Sequence, residues 1–483
     1  MSQDIESKIK NATKWSVVSE IIAKLVLPIT NMILARLLTP EMFGVVATVT
    51  MIVSLADLFT DAGFQKYLIQ NNFKSNIEQR QCTNVAFWAN LILSLFLFLL
   101  IAVFRNPLAN MVGNPGLGFV LVIASISLPL TSFASIQMAI FKRNFDFKTL
   151  FIARWIGLCV PVFVTVPMAF MLQSYWSLII GTIAQNLINA IFLTVKSTWK
   201  PELYFSLEQL FQMLSFSIWT TIEQISIWLT KYIDVFIVGI LLSQYYLGVY
   251  KTSMTTVNQI TTLVTAATTP VLFSALSRLQ NDKNSFKRIF LSFQRKVGYI
   301  LIPLGVGIFL YSDFIVRVLL GSQWNEAVSF VGAWGLMSTV TILFSNYSSE
   351  VYRALGKPKL SFISQCIHLV VLIPVVYITA SYGYNVLYIG RTIVRLEAII
   401  ADFIILYFII KISPMEQIRN VKDSFFATVF MAAVAVLLKL IGHSFLWELL
   451  SIIICIISYF CFILLFSTAK KDLIPFFKSV IKR

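Results

Sequence analysis

The chain has 483 residues, 58% of them hydrophobic and 12% charged, with a mean hydropathy of +0.81. Soluble domains carry roughly 25% charge around one buried core, so this composition excludes a soluble protein and predicts an all-α polytopic membrane protein. The net charge of +16 would suit nucleic acid, but the lysines and arginines sit in short segments between apolar runs. That spread excludes a basic nucleic-acid-binding domain.

The first fifteen residues are polar and basic, and no small-residue cleavage site follows the first apolar run, so the first span is expected to be retained. Runs of about 18 to 25 apolar residues fit the hydrocarbon layer as helices. Fourteen are predicted, near 16–38, 43–63, 82–104, 118–141, 151–171, 174–195, 210–242, 247–275, 290–311, 328–351, 361–380, 385–410, 423–441 and 446–467. The seventh and eighth are long enough to leave the bilayer or bend. With the N-terminus inside, twenty-eight lysines and arginines fall in inside segments and three, Arg105, Arg317 and Lys439, in outside ones. The positive-inside rule then puts both termini in the cytoplasm. Outside segments are short; the longest, around 312–327, reads as a loop with no room for a catalytic domain.

Two stretches repeat. Leu37-Leu38-Thr39-x-x-x-Phe43-Gly44-Val45 returns as Leu241-Leu242-Ser243-x-x-x-Leu247-Gly248-Val249, offset by 204 residues. Tyr175-x-x-Leu178-x-Ile180-Gly181 returns as Tyr384-x-x-Leu387-x-Ile389-Gly390, offset by 209. A nearly constant offset predicts a duplicated six-helix unit, with lobes over 1–200 and 201–412 and two added helices with a cytoplasmic tail over 413–483. Six is even, so the copies run parallel, with a cavity expected between them, as in alternating-access transporters.

Ionised side chains in mid-bilayer cost roughly 2.5–3.5 kcal/mol each on insertion scales, so their positions sketch a wet path. Glu20, Lys24 and Asn31 share a face of the first helix, near Pro28; Asp57 and Asp61 lie one turn apart on the second. Glu223, Lys231 and Asp234 form a stripe on the seventh and Lys251 opens the eighth. Arg391, Arg395 and Asp402 form a stripe on the twelfth. The repeat aligns Thr182 with Arg391 and Asn186 with Arg395, so one copy has neutral residues where the other has two guanidinium groups suited to gripping a diphosphate. Lys24, Lys231, Lys251, Arg391 and Arg395 are therefore the candidate substrate-binding cations. Glu20, Asp57, Asp61, Glu223, Asp234 and Asp402 are candidates for ion coupling or gating. The basic cluster at 278–296 is a candidate contact for anionic headgroups as well as a topological signal.

There is no GxxxxGK phosphate loop, no GxSxG or HExxH motif, and only His368 and His443 among histidines. No enzyme activity, cofactor or metal is expected, and uphill work would draw on an ion gradient. The five cysteines lack paired ligand spacing and read as small core residues.

Lys14-Trp15, then Ala35-Arg36-Leu37-Leu38-Thr39-Pro40-Glu41-x-Phe43-Gly44, then Asp57-Leu58-Phe59-Thr60-Asp61-Ala62-Gly63-Phe64 and Leu68-Ile69-Gln70 closely resemble Wzx-type polysaccharide exporters. The nearest likeness is to the colanic and teichuronic acid exporter subgroup of the multidrug/oligosaccharidyl-lipid/polysaccharide (MOP) superfamily. The resemblance implies a flippase moving undecaprenyl-diphosphate-linked oligosaccharide from the inner to the outer leaflet of the bacterial cytoplasmic membrane. It further implies a V-shaped two-lobe fold, a cationic cavity lined by helices 1, 2, 7 and 8, coupling to H+ or Na+, and work alongside polysaccharide polymerase or assembly proteins. Only Lys24, Lys231 and Lys251 carry over to that cavity by helix and depth; Arg391 and Arg395 rest on the repeat and could instead face a lateral groove. The competing reading is a MATE-like drug or cation antiporter, disfavoured by the cationic rather than acidic lining. A membrane polymerase or ligase would need a large outer loop.

Overall fold

A computed structural model of the chain describes residues 23, 24, 26–61 and 63–466, with backbone alone at 61, 216–220, 223, 358 and 466. Among the described residues, twelve helices are long and apolar enough to cross a membrane. They are α2 (Pro40–Thr60), α3 (Asn76–Val103), α4 (Gly118–Arg143), α5 (Phe147–Leu172), α6 (Trp176–Lys196), α7 (Leu207–Leu241, with its apolar stretch at Gln224–Leu241), α8 (Gln244–Ser277), α9 (Lys283–Leu310), α10 (Ala327–Ala354), α11 (Pro358–Ser381), α13 (Lys422–Ile441) and α14 (Phe445–Phe466). The order is completed by α1 (Val26–Leu37), helical through Pro28, and by α12, which runs in two pieces, Tyr384–Ile393 and Arg395–Ile410. The chain is a multi-pass all-α membrane protein. The first part of the predicted first span lies outside the described residues.

Local sequence explains where helices start. Within the basic segments, Ser75, Asp146, Ser206, Asp282 and Ser413 are N-caps whose side chains accept a backbone N–H two or three residues on. Such caps satisfy donors that the first turn leaves unpaired. As expected, α7 and α8 are the longest, with 35 and 34 residues, or roughly 50 Å each at 1.5 Å per residue. The segment read as a loop at 312–327 is instead mostly helical, Ser312–Leu319 followed by a 3-10 turn, Ser322–Trp324, with Trp324 wholly buried. It escaped notice because seven or eight residues are too few for a hydrophobic period to register.

Two compact units emerge, Met1–Lys251 and Thr252–Arg483, divided within α8. Lipid tails are as apolar as leucine, so helices inside each unit associate through close packing and hydrogen bonds rather than through hydrophobic burial. In the first unit, a β-carbon on Gly44 would lie 2.0 Å from the Gln244 carbonyl oxygen, and one on Gly248 would lie 1.8 Å from that of Pro40. The two copies of the first repeat motif thus meet backbone to backbone at the starts of α2 and α8. Across the same contact the Thr48 hydroxyl donates to Gln244 Oε1 at 3.4 Å. Arg143, at the end of α4, donates to the carbonyls of Leu68 (2.7 Å) and Asn71 (2.8 Å) at the close of the Phe64–Gln70 helix, a favourable place for a cation.

In the second unit α9 is the central helix. A β-carbon on Gly305 would sit 2.0 Å from Thr339 Oγ1 and one on Gly335 would sit 2.2 Å from Ile308 Cγ2, so α9 and α10 pack closely. Ser424 Oγ of α13 lies 2.9 Å from the Gly298 carbonyl oxygen and 2.9 Å from the Tyr459 hydroxyl of α14, which lies 2.9 Å from the Tyr299 carbonyl oxygen, so two hydroxyl protons are distributed over three short contacts. At the other end, Arg317 forks onto Glu448 at 2.8 and 3.1 Å, and Lys439 reaches Asp313 at 3.1 Å. The last two helices are therefore fastened to α9 at Gly298 and Tyr299 and to the short helix Ser312–Leu319 that follows it.

Candidate functional site

In the first unit the polar residues of α7 and α8 converge on one ring. The Lys231 and Lys251 ammonium groups lie 5.1 and 5.0 Å from the centre of Tyr232. Tyr232 is buried, Lys251 half-buried and Lys231 exposed. The Trp228 ring packs 5.4 Å from Tyr232, and its indole N–H donates to Ser54 Oγ of α2 at 3.0 Å. Asp234, 1% exposed, accepts from the Tyr250 hydroxyl (2.8 Å) and from the Val235 N–H (2.8 Å). Two ammonium groups over an electron-rich ring are held by about 0.5–2 kcal/mol each, and each carries three N–H donors. That combination suits an anionic or polyhydroxylated group.

In the second unit, Arg391 and Arg395 both meet Trp334 of α10, their guanidinium carbons 4.9 and 4.0 Å from the ring centre. Arg395 also donates to Ser338 Oγ at 2.6 Å. The helix break at Val394, between the pieces of α12, leaves both arginines on the face toward α10. Arg391 is 5% exposed and Trp334 is 1% exposed, so this pair is engaged in packing. One turn and more beyond, buried Asp402 accepts hydrogen bonds from Ser345, from Tyr352 (2.8 Å) and from Ser364 (3.2 Å). Ser345 lies in a π-helical stretch of α10, Ile342–Asn346, a distortion that often marks functional positions. His368 Nδ1 lies 3.0 Å from Glu397 Oε2, extending the polar patch across α10, α11 and α12.

The remaining predicted residues are more scattered. Asp57 accepts from Thr131 of α4 at 2.6 Å and from Thr60 at 3.4 Å, which ties α2 to α4. Lys24 is helical and half-buried. Glu20 and the side chains of Asp61 and Glu223 lie outside the description. Trp334, Tyr232, His368 and Glu397 were not singled out as site residues from sequence. Glu397 was findable by the criterion that found Asp402, an ionisable group in an apolar run, although it falls off the Arg391–Asp402 stripe. No three His, Cys, Asp or Glu side chains among the described residues converge as a metal site.

Residues 33–329, more than half of the chain, match the family described as polysaccharide biosynthesis protein. The chain is 25% identical over 322 residues to the succinoglycan biosynthesis transport protein ExoT of Rhizobium meliloti (strain 1021), covering 67% of this chain and 64% of that protein. It is 22% identical over 330 residues to the lipopolysaccharide biosynthesis protein WzxC of Escherichia coli (strain K12), covering 67% and 65%. The aligned region thus spans just under two thirds of either relative. Among solved structures, the lipid II flippase MurJ in an inward closed conformation superposes with a TM-score of 0.75 at 17% identity, over 96% of this chain and 100% of that one, a likeness of fold. These findings agree with the Wzx-type resemblance carried by the N-terminal motifs, and the chain belongs to the polysaccharide biosynthesis protein family.

Proposed function

We propose that this protein is a flippase that carries undecaprenyl-diphosphate-linked oligosaccharide from the inner to the outer leaflet of the bacterial cytoplasmic membrane by alternating access. The observation that carries the reading is the convergence of Lys231 and Lys251 on Tyr232 inside helices apolar enough to cross a membrane. A diphosphate needs cations able to reach it, and sugar hydroxyls need donors and an aromatic face. Family membership and the relatives' names, polysaccharide transport in one and lipopolysaccharide biosynthesis in the other, support the same substrate class. The work is transport without bond chemistry. Both termini are cytoplasmic on the positive-inside count, and reporter fusions at either end test that.

Coupling to H+ or Na+ is assigned to the buried carboxylates. Asp402 has three hydroxyl neighbours, each able to turn from donor to acceptor, so its site accommodates either protonation state. The decisive test is reconstitution into liposomes with a fluorescent undecaprenyl-diphosphate oligosaccharide, reading its transfer between leaflets. Wild-type transfer that Lys231→Ala removes supports the proposal. Full transfer by Lys231→Ala and Lys251→Ala would overturn the role of the lysines, and gradient-driven efflux of organic cations without lipid transfer would move the chain to the antiporter class.

A further inference from the structure

Away from these clusters, the second unit has a cavity of about 670 Å³ where α9 meets the short helix Pro414–Asn420 and the start of α13. Its size falls within the roughly 300–1,000 Å³ of small-molecule sites. Arg295, Arg419 and Lys422 line it, together with Glu416 and Asp423. Glu416 is already matched by Lys287 at 2.8 Å, and Lys287 also donates to the Lys411 carbonyl at 3.1 Å. Arg419 and Lys422 are largely exposed.

The cavity walls are held in place. Gln417, wholly buried, accepts from Gln294 at 3.1 Å, Asn420 donates to the Leu291 carbonyl at 2.7 Å, and Ser413 caps the short helix. The height of the cavity follows from sequence. Arg295 and Lys296 are the last charges of α9 before its apolar run, and Lys422 and Asp423 are the only ones of α13 before its own. The cationic floor therefore lies where both helices enter the apolar layer, on the side carrying the basic segments. Apolar surface adjoins it: Met415 lines the cavity 63% exposed, while Phe425 and Phe426, in the next turn of α13, are 56% and 61% exposed.

Cations at that boundary attract phosphate, and the neighbouring apolar surface suits acyl chains. We propose that this cavity binds an anionic phosphate group through Arg295, Arg419 and Lys422, supplied either by a phospholipid headgroup or by a soluble phosphate compound. The site is separate from the Lys231 and Arg391 clusters and does not depend on the flippase reading.

The test uses the full chain purified in detergent. Native mass spectrometry counts retained phosphatidylglycerol or phosphatidylcholine, and a parallel thermal-shift series uses inorganic phosphate alone. For a lipid source, wild type retains phosphatidylglycerol over phosphatidylcholine, and the Arg419→Gln/Lys422→Gln double variant loses roughly thirty-fold of that preference. For a soluble source, phosphate raises the wild-type unfolding midpoint but not that of the double variant, with no preference between lipids. Lys148→Gln, an exposed charge in a basic segment of the first unit, outside the cavity, should behave as wild type; Asp423→Asn, which removes a repulsive carboxylate, should tighten retention or phosphate response. Equal anion binding by wild type and by the single Arg419→Gln variant, together with no gain for Asp423→Asn, would overturn the site even if the double variant failed to fold.

Discussion

Lys231 and Lys251 in the first unit, and Arg391 and Arg395 in the second, are each gathered on one aromatic ring, Tyr232 and Trp334. They differ in access. Lys231 is exposed and Lys251 half-buried, whereas Arg391 is buried and Arg395 donates to Ser338. An ammonium on a flexible stem can leave its ring to meet a ligand, while a planar guanidinium stacked on indole in a packed interior spends its contacts on the fold. The arginines, read from sequence as candidate diphosphate ligands alongside the lysines, are therefore proposed as a brace for α10 against α12, and the lysines as the ligand contacts.

That contrast is open to direct attack. The largest effect is expected for Arg391→Ala, which removes a buried side chain from Trp334 and should lower stability by about 3 kcal/mol, read as the unfolding midpoint in detergent. Lys251→Ala should cost less than about 1 kcal/mol yet impair lipid transfer; the reverse ranking would break the comparison. Next comes a pair of glycines from the repeat. Gly248→Ala drives a methyl group into the Pro40 carbonyl, whereas Gly390→Ala meets first the Thr379 side chain, 2.4 Å from Cγ2. Since a threonine rotamer yields more readily than backbone, losses of about 3 and about 1 kcal/mol are expected, and equal losses would mean that both units yield alike.

Asp402→Asn and Asp234→Asn sharpen the contrast at the buried carboxylates. Each should cost about 1 kcal/mol of stability, but only Asp402→Asn should make lipid transfer insensitive to an imposed ion gradient. If Asp234→Asn does so instead, coupling belongs to the first unit. The smallest effect concerns Asp282, the N-cap of α9. Hydrogen bonds from the Ser285 side chain and backbone, and from the Asn284 N–H, hold its carboxyl below the usual carboxylate range. Its stabilising contribution is therefore complete above the ordinary aspartate pKa near ~3.9 and fades as pH falls through the lower folded value. Faster amide exchange in the first turn of α9 at low pH, absent from Asp282→Asn, would show it.

The four repeat-motif glycines show how sequence and structure divide the account. Gly44, Gly248, Gly181 and Gly390 stood out through the spacing of the repeated motifs alone, and the structure supplies a reason for glycine at each. Each sits where another atom comes closer than a β-carbon allows, the Gln244 and Pro40 carbonyls in one motif and Thr165 and Thr379 in the other. Twelve of the fourteen predicted spans were legible because hydrocarbon thickness fixes the length of an apolar run. The stripe of Arg391, Arg395 and Asp402 was legible because helical period fixes a face. The sequence by itself determined which residues cross the membrane and which polar ones the crossing strands in apolar surroundings. Only the tertiary structure decided what those residues meet. That Arg391 faces Trp334, that Arg317 and Lys439 are matched by Glu448 and Asp313, and that Glu397 finds His368 depend on contacts between residues far apart in the chain, which no local period encodes.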